Sequence, residues 1–136
     1  MLAAYGKLME TKTKQAIFIG IFGWFLGAGV VILLKDTAHA TSLAIAAGFL
    51  TAPLMYALTL FHLRGVSGVN RPSIAFRFGV IFTTVQFPLD ALGFFSIFKL
   101  DSPALGPDVS GSIVIGLEIA YLFMMTVPIL VGHQVR

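Results

Sequence analysis

The stretch AIFIGIFGWFLGAGVVILL, residues 16–34, runs for nineteen residues without a charge. As a helix rising 1.5 Å per residue it extends about 28 Å, close to the ~30 Å hydrocarbon thickness of a bilayer. The chain around it has 136 residues, of which 57% are hydrophobic and only 11% charged. Soluble domains carry roughly 25% charged residues, so too little polar surface is available to coat a water-exposed fold. Lipid is the expected solvent.

Three more segments have the length and apolarity of a span: residues 42–63, 75–98 and 111–132. The connections KDTAHAT, RGVSGVNRPS and KLDSPALGPDVS are rich in Gly, Pro, Asn, Asp and Ser, the residues of turns. Pro72 stands before the third segment, where a missing N–H costs least. The expected architecture is all-α: a four-helix transmembrane bundle forming one membrane domain over residues 1–136. Lys7, Lys12, Lys14, Arg64, Arg71, Arg77 and Arg136 fall on one side, and only Lys35 and Lys99 on the other. The positive-inside rule then puts both termini in the cytoplasm. Residues 1–15 read as a short interfacial helix, with Leu2, Tyr5 and Met9 facing lipid, or as a frayed tail. Ala38-His39-Ala40 has the form of a signal-peptidase site, but the apolar run before it is long for a signal peptide, and retention is expected.

Asp90, within FPLDALGFF, and Glu118 are the two acids well inside the spans. Counting residues puts each roughly 10–12 Å below the outer boundary. Consecutive spans are normally antiparallel neighbours, so the two carboxylates could face each other, unless helix rotation separates them. A buried anion in hydrocarbon costs about 3 kcal/mol on insertion scales, and two together cost more. Either one stays protonated or a cation lies between them. Arg77 is thirteen residues from Asp90, nearly 20 Å along a helix, and cannot neutralise it. Gln86, Tyr121 and Thr51 are the supporting polar groups. Pro88 releases a backbone carbonyl one turn earlier. The functional reading is a proton or cation site; the structural one is a protonated acid joining helices, worth about 1 kcal/mol.

Gly20, Gly23 and Gly27 share a helical face, which permits close helix packing within the chain or against a second copy. Trp24 falls mid-span, away from the interfacial belt, and is expected to fill a bundle groove or line a ligand space. His62 and His133 end two spans at one level, a spacing compatible with haem ligation, though no attachment motif accompanies them. The phenylalanines of the third span suit contact with lipid, quinone or carotenoid. Cysteine is absent, which excludes thiol chemistry. No metal site is expected, no catalytic motif is found, and the residues leave any cofactor unidentified; a net charge of +3 gives no reason to expect nucleic acid.

FGWFLGAGVVILLKD in the first span and PLDALGFF in the third resemble a family of small four-span bacterial membrane proteins of unknown function. The resemblance implies the same topology and supplies no activity; the expected location is a bacterial inner (cytoplasmic) membrane. The small multidrug resistance transporters are similar in size and span number. They are built around a glutamate in the first span, and residues 16–34 contain no acid. Two functions compete: proton- or cation-linked transport or small-ligand binding by a homo-oligomer, and a non-catalytic accessory subunit of a larger membrane complex.

Overall fold

The computed structural model describes residues 2–34, 38–93 and 107–134, with side chains described for 5–33, 38–93 and 111–134. These residues form four α-helices: α1 (Leu2–Leu34), α2 (Ala40–His62), α3 (Arg71–Asp90) and α4 (Pro107–Gln134). A 3-10 turn (Gly68–Asn70) precedes α3, and no strand occurs among the described residues. Three helical segments are long and apolar enough to cross a membrane: Tyr5–Leu33, Ala40–His62 and Gly111–Gln134. The α3 helix has 20 residues, and Arg77, Gln86 and Asp90 interrupt its apolarity. The remainder of the expected third span, residues 94–98, lies outside the described residues, as do Lys35, Lys99 and Arg136.

The residues before the first apolar run are neither a separate helix nor a tail. They continue into the span as one helix of 33 residues. No proline interrupts this stretch, and Glu10 and Lys14 pair across one turn at 2.6 Å, a spacing that supports helix.

Adjacency in the bundle does not follow chain order. The most extensive packing joins α2 to α4, followed by α3 with α4 and α1 with α3; α1 touches α2 lightly, and α2 barely meets α3. The helices therefore run around the bundle as α1, α3, α4, α2. Glycine makes the α2–α4 seam. A Cβ on Gly48 would collide with the Gly116 carbonyl, and one on Gly116 with the Ala44 carbonyl. Backbone meets backbone there, which a side chain on either residue would forbid. The α3–α4 seam uses a related device. Pro128 has no N–H and leaves the Met124 carbonyl without its helical donor. Gly79 faces that carbonyl, whose oxygen lies 3.0 Å from the position of a Cβ.

Among the described residues the core has three layers. Leu63, Ile74, Ala75 and Val131 pack at the end where α2 passes into α3. Ala16, Met55, Phe78 and Phe82 fill the middle. Trp24, Ala28 and Ile113 lie toward the other end. The α2–α3 turn is held by Gly65, at φ 73°, a left-handed conformation that glycine adopts without strain. Lys12 of α1 reaches this turn and donates to the His62 and Arg64 carbonyls at 2.5 and 3.1 Å. A cation on the last carbonyls of a helix satisfies orphan acceptors and complements the negative end of its dipole.

Candidate functional site

Asp90 closes α3 and is 6% exposed. Its two oxygens accept hydrogen bonds from two different helices: Oδ1 from Trp24 Nε1 of α1 at 2.8 Å, and Oδ2 from the Tyr121 hydroxyl of α4. One turn earlier, the buried Gln86 donates from Nε2 to the Gly20 carbonyl of α1 at 2.6 Å. Gly20 to Gln86 and Trp24 to Asp90 are both separations of 66 residues. Equal offsets require α1 and α3 to run parallel and in register, so one pair helps position the other.

The backbone at this point departs from regular helix. Pro88 within α3 leaves the Thr84 carbonyl without its usual donor, and residues 91–93 continue as a π-helical turn. Such turns occur mostly as single bulges, often at functional sites. Gly93 ends this turn against the Trp24 indole, where a Cβ would overlap the ring. The absence of a side chain at residue 93 gives the indole its room, and the indole N–H then reaches Asp90.

The two bonds to Asp90 differ chemically. Indole N–H is a donor only, so the Trp24 bond always makes Oδ1 an acceptor. A tyrosine hydroxyl both donates and accepts. If Asp90 takes up a proton on Oδ2, the Tyr121 bond can reverse direction, and the tyrosine proton is released to point elsewhere. The arrangement can thus gain or lose one proton with both ties intact.

Of the residues picked out by sequence, Asp90 and Tyr121 come together, with Gln86 one turn away on its own partner. Thr51 does not join them: its hydroxyl donates to the Ala47 carbonyl of its own helix at 3.2 Å. Glu118 is exposed on α4, and among the described residues no hydrogen bond joins it to Asp90. A Cβ on Gly20 or Gly23 would meet Val85 or Phe82 of α3, whereas one on Gly27 would meet nothing within 4 Å among the described residues. His62 is buried and stacked on Phe78 with ring centroids 4.5 Å apart. His133 is exposed, with Nδ1 turned to the Ile129 carbonyl of its own helix at 2.8 Å. Trp24 is the site residue whose role sequence reading missed. The available signal was its mid-span position, because a buried indole N–H needs an acceptor.

Comparison with known protein families, with curated proteins and with solved structures finds no match for this chain. The family resemblance of the first and third spans therefore rests on those two short stretches alone, and the functional reading rests on the site.

Proposed function

We propose that this chain is a four-span membrane protein that couples proton or cation binding at Asp90 to transport, or to binding of a small ligand, and works as a homo-oligomer. The observation that carries this reading is the environment of Asp90: a carboxyl group in the bundle interior, held by donors from two other helices beside a π turn. Intramembrane ionisable residues that face a bundle interior typically mark proton relays or substrate pathways. A reversible Tyr121–Asp90 bond is the part of the site able to register a proton.

Glu118 supports the oligomer. It lies twelve residues into α4, near the middle of that helix, and it is exposed. A carboxyl group at that depth is costly against lipid tails, and acids in spans almost always face protein or water. A second copy placed against α4 would cover it. The same exposure favours one alternative, an accessory subunit whose larger partner offers Glu118 a basic group. In either case the charge bias of the flanks supports cytoplasmic termini in an inner membrane, with lipid as the constant partner.

The test is reconstitution in liposomes with a proton gradient, comparing the native protein with Asp90→Asn and Glu118→Gln. Asp90→Asn is expected to abolish the pH dependence of transport or ligand binding with assembly intact. Unchanged behaviour in both variants would sink the transport reading. Recovery from the native membrane in fixed ratio with foreign subunits would establish the accessory role.

A further inference from the structure

A second polar feature lies at the opposite end of the bundle, independent of the Asp90 site. A pocket between α1, α2 and α3 is lined by Lys12, Thr13, His62, Arg77 and Phe78, among others, and no acidic side chain lines it. His62 is 1% exposed. Its buried Nδ1 has no hydrogen-bond partner among the described residues, an uncommon state for a buried polar atom. Lys12 is fixed at the rim by the His62 and Arg64 carbonyls and by Gln15 Oε1, which together engage its three N–H donors, so it offers an anion its charge. Arg77 is exposed and forms no ion pair among the described residues. Two cations thus line one pocket that has no acidic side chain among its lining residues, beside a buried histidine.

We infer that this pocket receives a phosphate oxygen of an anionic lipid headgroup. Size limits how it does so. The pocket's volume is about 10 Å³, enough for one water-sized group and too small for a whole phosphate. The headgroup therefore sits at the mouth between Lys12 and Arg77, with a single oxygen inside. Depth favours a lipid as the source of the phosphate. Arg77 follows the start of α3 by six residues, about 9 Å along the axis, and its long stem can snorkel to the headgroup layer. Basic pockets between spans are a recurrent form of headgroup recognition.

The experiment is native mass spectrometry on the full chain released from nanodiscs, one set of phosphatidylcholine alone and one of phosphatidylcholine mixed with phosphatidylglycerol. The proposal expects preferential retention of one phosphatidylglycerol. Arg77→Gln weakens that retention about fivefold, the effect of one basic residue near an anionic surface, and Arg77→Lys largely restores it. Arg64→Gln removes a charge from the same end of the bundle but not from the pocket, and leaves retention unchanged. Equal losses in Arg64→Gln and Arg77→Gln would reduce the effect to general surface charge and overturn the site. Equal retention of the two lipids would overturn it as well. Displacement of the lipid by added inorganic phosphate would assign the pocket to a soluble anion instead.

Discussion

The seams α2–α4 and α1–α3 both join parallel helices, and they do so by opposite means. Between α2 and α4 there is no room for a side chain at Gly48 or Gly116, and backbone packs on backbone. Between α1 and α3 the contact is polar, through Gln86 on the Gly20 carbonyl and Trp24 on Asp90. Close packing has no soft alternative, because a carbonyl cannot move out of the way without moving its helix. Polar ties in a membrane are weaker than they look, because a separated helix finds other partners; they average about 0.6 kcal/mol. The first seam is suited to stability and the second to change.

The largest effect that would test this contrast is expected from Gly116→Leu. The new side chain must force α2 and α4 apart, and a loss of about 3 kcal/mol should appear as early unfolding in a denaturing-detergent titration. If the variant unfolds like the native protein, backbone contact is not what holds this seam. Trp24→Phe keeps the aromatic bulk but removes the donor to Asp90. A loss of about 1–2 kcal/mol is expected, with the α2–α4 seam still protected in hydrogen exchange. Loss of protection there as well would mean that the two seams are not separable. Gln86→Leu is the mildest, at about 0.6 kcal/mol in the same titration, since the Gly20 carbonyl can keep its helical bond. A larger loss would make Gln86, rather than Asp90, the main tie of the α1–α3 seam.

Hydropathy made the helices legible and left their arrangement hidden. The apolar run 42–63 differs from α2 (Ala40–His62) by a residue or two, but α4 (Pro107–Gln134) outruns its apolar segment at both ends. Apolarity marks the thickness of lipid, whereas the helix stops where capping and turn residues stop it. The Gly20, Gly23 and Gly27 series drew attention through its spacing. The closest backbone-to-backbone approach among the described glycines instead depends on Gly48 and Gly116, which lie on different helices and form no motif within either helix. Asp90 and Tyr121 were readable as intramembrane polar groups of similar depth. Glu118 was read at the same depth, but counting along a helix fixes height far better than rotation, and α4 turns it outward. Trp24 was placed mid-span without its acceptor, because that acceptor comes from a helix two elements later.

The separation of 66 residues within each α1–α3 pair has a consequence for biosynthesis. At about 5–20 residues per second of translation, Trp24 is synthesised about 3–13 s before Asp90. During that interval α1 and α2 enter the bilayer on apolarity alone, with the indole N–H still without its carboxylate and Gly48 without Gly116. The nascent chain is therefore a pair of loosely associated spans until its second half arrives; the third helix, which brings Gln86 and Asp90, completes the α1–α3 seam, and the fourth, which brings Gly116 and Tyr121, then completes the α2–α4 seam and the second tie to Asp90.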